Sequence, residues 1–187
     1  AAYIINRRSN RYSSIVYKII ILPMLIPFQT IMISLLKVTT IFHLSGSKIG
    51  LGIQYWGFGI PMATFIFFNF ITTVPFELDE SAEIDGATTF QTFMRIIFPL
   101  LKPVTFTVIV IDVMWIWNDF LLPLLMVNDS NETKTLVLAA YTFVGQFNTQ
   151  WQYAMAAMVL ALLPSVIIFI FLQKYIVQGV VAGAVKG

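Results

Sequence analysis

A chain of 187 residues that is 58% hydrophobic, 15% aromatic and 11% charged, with net charge +2 and mean hydropathy +0.85, lies far from the soluble norm of about a quarter charged residues. It reads as a membrane protein. The absence of cysteine excludes disulfides, thiolate metal sites and a cysteine nucleophile.

The opening stretch AAYIINRRSNRYSS puts its charges after a short apolar piece, the reverse of a secretory signal. It is expected to be a helix end followed by a basic loop, so that the chain begins as a membrane helix ends. Between Lys18 and Lys37 lie eighteen uncharged residues. At about 1.5 Å each they make about 27 Å of helix, close to a bilayer core of about 30 Å. This predicts a first complete span near residues 15 to 40, kinked or locally unwound where Pro23 and Pro27 each remove a backbone hydrogen bond. A second span is expected near residues 50 to 73, in the uncharged stretch from Ile49 to Phe76, with Pro61 inside it. A third is expected near 100 to 127 and holds Asp112 and Asp119, and a fourth near 152 to 175. The residues between the last two spans start too polar to cross a membrane and predict an outside loop with an interfacial helix.

Lys and Arg set the orientation. Arg7, Arg8, Arg11, Lys18, Arg95, Lys102, Lys174 and Lys186 fall on one predicted side, against Lys37, Lys48 and Lys134 on the other, so the first side is cytoplasmic. The polar stretch ESAEIDGATTFQTFMRIIFPLLKP, residues 80 to 103, therefore faces the cytoplasm. Pro75 suits a first helical position there, and Glu77, Asp79 and Glu80 crowd a first turn that favours negative charge. Gly86 supplies the positive backbone angle for a corner, Ala87 keeps the corner thin, and a second helix ends at Pro99. The elbow presents Ile84, Phe90, Phe93 and Met94 within an acidic rim. Two uses fit that pattern: a plug for a groove on a cytoplasmic partner, or an amphipathic helix pair lying on the membrane.

The order E-S-A-x-x-x-G-x9-I-x-F-P, from Glu80 through Gly86 and Ile96 to Pro99, resembles the EAA loop of ABC importer permeases. Ser81 stands where that pattern prefers Ala, and Phe98 where it prefers Leu. IDGA at 84 to 87, WNDFLLPL at 117 to 124 and QGVVAGAVKG at the end resemble the carbohydrate-uptake, MalG-like second permease subunit. The resemblance implies an all-α polytopic transmembrane bundle of the type I, MetI-like class. Residues 1–187 would be the C-terminal part of its transmembrane domain, lacking the first membrane helix and most of the second, with residues 75–99 as the cytoplasmic coupling loop. It further implies that Glu80, Ser81, Ala82, Asp85, Gly86, Ala87, Phe90, Phe93, Ile96 and Pro99 dock an ATPase.

The same resemblance implies a heterodimer with a second permease subunit, two ATP-binding subunits that use ATP and Mg, and an extracellular or periplasmic solute-binding protein. It also implies a bacterial inner membrane as the location and a sugar or oligosaccharide as the cargo. No cofactor held by this chain and no nucleic-acid partner is expected. No phosphate-binding G-x-x-x-x-G-K-[ST] loop occurs, so ATP hydrolysis falls to partner subunits.

Asp112 and Asp119, seven residues apart, share nearly one helical face with Trp115 and Asn118, and an ionised carboxylate in a membrane must face protein or water. Trp117, Asn118 and Asp119 offer an aromatic, a carboxamide and a carboxylate, suited to sugar hydroxyls and ring faces. They are expected to line the solute path, with helix packing as the alternative. An ion-coupled transporter using Asp112 and Asp119 is the rival function, and a membrane scaffold the third. An enzyme is the least expected, because no nucleophile, base and orienter grouping appears. His43, the only histidine, is expected on a surface loop, and Gly179 and Gly183 in a flexible tail.

Overall fold

The computed structural model describes residues 1–8, 10–128, 132–144 and 150–184, with side chains as far as Phe171 and at Gln173. Every regular element among the described residues is helical, and none is a strand. α1 is Ala2–Arg7, and α2 is Arg11–Ile21, started by the Asn10 side chain, which accepts the Ser13 N–H at 2.8 Å. α2 passes into a 3-10 turn, Leu22–Leu25, and α3 restarts at Phe28–Ile41. The expected first span is thus broken outright, because Pro23 and Pro27 both lack the N–H a continuous helix needs. The Pro27 carbonyl accepts the Thr30 N–H at 3.0 Å and so opens the new helix.

α3 ends in a Schellman turn, with Leu44 N–H on the Thr39 carbonyl at 2.9 Å and His43 N–H on that of Thr40 at 3.0 Å. His43, at φ 54, fills the left-handed position that glycine usually takes. α4 is Lys48–Ile71 with Pro61 inside. A Cβ on Gly50 would lie 2.0 Å from the Leu44 carbonyl oxygen, so only glycine lets this turn lie on the first turn of α4.

α5 is Glu77–Ile84, with Phe76 as its N-cap, so Pro75 stands before the helix rather than at its first position. α6 is Thr89–Thr92, followed by a π turn, Phe93–Ile97, and α7, Phe98–Leu100. α8 is Lys102–Asn118, and the chain bends by 72° between the helical stretches on either side of Leu101. Pro99 and Pro103 cause this disturbance: neither can donate to the carbonyl four residues earlier, so the ladder widens into a π turn and then bends.

α9 is Leu121–Val127. The expected third span is therefore interrupted at Asp119 and Phe120. Pro123 has no N–H for the Asp119 carbonyl, and its ring would collide there in a continuous helix. α10 is Leu136–Tyr141, capped by Thr135, whose hydroxyl accepts the Leu138 N–H at 3.3 Å. α11 is Trp151–Ala184, longer than the expected fourth span, and it includes Gly179 and Gly183 in helix rather than in a flexible tail. Its backbone hydrogen bonds stay closed past Lys174, and glycine costs a helix only about 1 kcal/mol.

Lys48–Ile71 and Trp151–Phe171 are each long and apolar enough to cross a membrane, and the count reaches four if each of two bent helix pairs is one span. Only 17% of the apolar window in Trp151–Phe171 is buried within the chain, so most of that helix needs lipid or another protein around it.

The chain divides into two compact units. The first, residues 1–25, 59–110 and 172–187, holds Arg7, Arg8, Arg11, Lys18, Arg95 and Lys102. Its core is Ala2, Tyr3, Ile71, Val74, Ile97, Leu101 and Val104. The second, residues 26–58 and 111–171, holds Lys37, Lys48 and Lys134. It packs Leu51, Tyr55, Leu122, Met126, Val127 and Leu138 together. The unit boundaries cut α4, α8 and α11 in mid-helix, and Lys186 of the predicted cytoplasmic set lies outside the described residues.

Candidate functional site

The elbow is built by local rules. Glu77, Asp79 and Glu80 sit in the first turn of α5, where the helix dipole favours them by about 0.3 to 1 kcal/mol each. The helix closes in a Schellman motif: Ala87 N–H reaches the Ala82 carbonyl at 2.9 Å and Gly86 N–H that of Glu83 at 3.0 Å, with Gly86 at φ +77. Thr88 then starts the second limb by a capping box. Its hydroxyl accepts the Gln91 N–H at 3.3 Å, and the Gln91 side chain accepts the Thr88 N–H at 2.8 Å.

The sequence-selected residues divide between two faces. Glu80, Ser81, Asp85, Gly86, Phe90 and Pro99 are exposed, whereas Ala82 is buried and Ala87, Phe93 and Ile96 are half-buried. Ser81 turns its hydroxyl to the Glu77 carbonyl at 2.7 Å. The outward apolar ridge is Ile84, 86% exposed, Phe90, 71% exposed, and Met94. Phe93 does not join it; its ring lies 5.1 Å from Tyr3 and 5.9 Å from Phe98, inside the first unit. Exposed Glu77, Glu80, Glu83 and Asp85 lie on the first limb with Ile84, and the second limb carries the exposed Arg95.

Sequence reasoning missed one group. Asp79 is not part of the exposed rim: Tyr3 donates its phenol proton to Asp79 Oδ1, and Arg7 Nε lies 3.0 Å from Oδ2. The Arg7 and Asp79 charges were both visible in the sequence, but not their meeting across more than seventy positions.

In the second unit, the residues selected for a solute path are engaged with neighbouring helices. Trp117 donates its indole N–H to the Ala161 carbonyl at 2.9 Å. Asn118 donates to the Met114 carbonyl at 2.7 Å and accepts the Ser165 hydroxyl at 3.3 Å. Asp119 Oδ2 accepts the Tyr55 hydroxyl at 3.0 Å, and its Oδ1 the Leu121 N–H at 3.1 Å, bridging the break between α8 and α9. Asn118 also lines a mostly apolar cavity of about 290 Å³ with Phe120, Ala140, Tyr141, Met158 and Ala161. That volume admits a sugar ring, and the Phe120 and Tyr141 rings, 5.0 Å apart and edge to face, form one wall.

Asp119 therefore supports the helix break whatever else it does. Asp119→Leu strands the Tyr55 hydroxyl and the Leu121 N–H, at about 1 to 3 kcal/mol for each buried group left unpaired. A lower melting temperature in detergent and a lower membrane level are expected, beyond any loss of uptake. An unchanged melting temperature would remove the bridging role.

Comparisons with known proteins identify the family and the fold. The family described as binding-protein-dependent transport system inner membrane component matches residues 1–182. A probable starch degradation products transport system permease protein, AmyC, of Thermoanaerobacterium thermosulfurigenes is 41% identical over 99% of this chain and 67% of its own length. The multiple sugar-binding transport system permease protein MsmG of Streptococcus mutans is 38% identical over 100% of this chain and 68% of its own. The melibiose/raffinose/stachyose import permease protein MelC of Bacillus subtilis is 36% identical over the same shares, 100% and 68%. The chain thus spans about two thirds of the length of these relatives.

The crystal structure of a bacterial ABC transporter involved in the import of the acidic polysaccharide alginate shares the fold, with a TM-score of 0.76 at 19% identity over 93% of this chain and 65% of that one. With a helical membrane architecture, an exposed elbow and a family match along nearly the whole sequence, the chain belongs to the binding-protein-dependent transport system inner membrane components.

Proposed function

We propose that this chain is one of two membrane subunits of an ATP-driven importer, forming with a second permease subunit the path for a sugar or oligosaccharide delivered by an external binding protein. The observation that carries the reading is the elbow, two short limbs about a glycine corner that expose Ile84, Phe90 and Met94 and carry four exposed acids on the first limb, in a family whose relatives are named for the transport of starch degradation products, melibiose, raffinose and stachyose. Ile84, Phe90 and Met94 form the plug for a groove on an ATPase subunit, which supplies the ATP and Mg chemistry.

The rim also argues against the alternative in which the elbow lies on the bilayer. Four exposed carboxylates on Glu77, Glu80, Glu83 and Asp85 would meet an anionic cytoplasmic leaflet, which repels them. A basic groove on a protein attracts them instead. The ion-coupled alternative draws no support: both Asp119 oxygens are engaged by Tyr55 and Leu121, and the family works with a binding protein.

Affinity capture of the subunit from membranes is expected to bring down an ATPase. Proteoliposomes of the captured complex, supplied with its binding protein and a panel of malto- and raffinose-type oligosaccharides, are expected to accumulate at least one of them only when ATP is enclosed on the elbow side. A thiol probe should reach a cysteine introduced at Asp85 from the cytoplasm and one at Ser45 from outside, since the chain has no cysteine of its own. Uptake abolished by an uncoupler and indifferent to ATP would overturn the reading.

A further inference from the structure

We infer that Asp79 is a positioning residue that latches the elbow to the membrane helices through Tyr3 and Arg7, so that a force applied at the ridge is delivered to α1 and α4 rather than absorbed by a swivelling loop. The inference rests on the elbow's role proposed above. α5 has only eight residues, too few to hold its own orientation, and it hangs from the turn that follows α4. What fixes it is tertiary. Ala82 and Leu78 bury one side, and the Asp79 carboxylate is gripped at its other end by two side chains of α1.

The grip is extended on both sides. Arg7 Nη2 donates to the Val74 carbonyl at 3.0 Å, and its guanidinium lies 5.5 Å from the centre of the Phe76 ring. The preceding residue, Asn6, donates to the Thr72 hydroxyl at 2.9 Å and to the Phe68 carbonyl at 3.3 Å, fastening α1 to the end of α4. One basic side chain therefore spans the turn between α4 and α5 and ends on α5.

Burial separates Asp79 from its neighbours. Five acids occupy residues 77 to 85, and four of them are exposed. The Arg7 and Asp79 side chains are only 13% and 12% exposed, and Tyr3 is buried. Such a pair is a poor source of raw stability but fixes geometry, because removing one partner leaves the other charged, buried and unmatched. The four exposed acids can meet a partner subunit. Asp79 has its partners within the chain and can only hold position.

The test uses the assembled complex in lipid nanodiscs. Spin labels on cysteines introduced at the exposed Ile4 and Glu83 report the distance from α1 to α5. The native sequence is expected to give one narrow distance. Asp79→Asn, which keeps shape but loses charge, and Tyr3→Phe, which keeps the ring against Phe93, are both expected to lose it, and Asp79→Glu to restore it. In proteoliposomes the same two variants should retain ATP hydrolysis while malto- and raffinose-type oligosaccharides taken up per ATP fall.

A distance that stays narrow in both variants, or uptake per ATP that is unchanged in both, overturns the latch. So does a loss of complex in which each remaining complex transports normally, since that is a purely structural role. The distance measurement needs neither ATP nor solute and is made equally on whatever assembly the full-length native subunit is captured in, so a native chain that captures no ATPase would refute the functional reading while the latch is judged on its own.

Discussion

Gly86→Val is expected to cut ATPase capture by roughly 5- to 30-fold while the chain inserts normally, and Gly86→Asn to leave capture nearly intact. The reason is purely conformational. A Cβ added at Gly86 would meet nothing within 4 Å, so no collision opposes a larger residue there. What opposes it is φ +77, a left-handed angle that costs an ordinary L-residue about 1 to 2 kcal/mol and a β-branched one more. An energy of that size is roughly a 5- to 30-fold change in the population of correctly bent elbows.

Asn visits the left-handed region readily, which makes it the control for size and polarity. If valine gives up the Schellman turn, the Ala87 to Ala82 bond opens and α6 leaves at a different angle, carrying Phe90 away from Ile84. Co-purification of the ATPase and solute-stimulated hydrolysis read the outcome. Full binding and full hydrolysis with valine would mean that the corner angle is not used.

The elbow was legible because its rules are local. A glycine after a helix rich in first-turn acids, with a proline thirteen positions later, specifies two limbs and a corner within one stretch of sequence. What lay beyond reach were effects of register and distance. Phe93 and Ile96 belong with Phe90 if the second limb is one continuous α-helix, but the π turn Phe93–Ile97 adds a residue and changes their face, and Phe93 points into the core. The cause, Pro99, acts on the preceding turn.

The break in the third expected span escaped the sequence in the same way. Apolar composition runs on past Asn118, and hydropathy cannot register that Pro123 denies a hydrogen bond to Asp119 four residues back. The Tyr3, Arg7 and Asp79 group is the opposite case. Each residue is ordinary where it stands, a tyrosine near an apolar piece, one arginine of a basic pair, one acid of a first turn. Only folding brings them together, and no spacing announces it.

Ile84→Asp and Phe90→Asp are expected to have the largest effect on docking, each weakening ATPase capture by roughly 10- to 150-fold with the melting temperature of the isolated permease unchanged. The two side chains are the most exposed of the elbow's apolar residues, so the permease itself loses no packing when they change, and surface substitutions of this kind stay within about 0.5 kcal/mol of stability. The cost falls wholly on the complex. Burying such a side chain in a partner's groove contributes about 1.5 to 3 kcal/mol, and 1.4 kcal/mol is about tenfold in affinity.

Phe93→Asp is the contrasting control. Its ring packs between Tyr3 and Phe98, so a carboxylate there should lower the melting temperature and the membrane level before docking is reached. Charge sharpens the test. If the acidic rim meets a basic groove, Ile84→Lys should bind more weakly than Ile84→Asp, and rising salt should narrow the gap as the rim charges are screened over about 8 Å at physiological ionic strength. Capture that is unchanged in both aspartate variants would show that the ridge touches no partner, and the elbow would then be only a surface corner of the membrane unit.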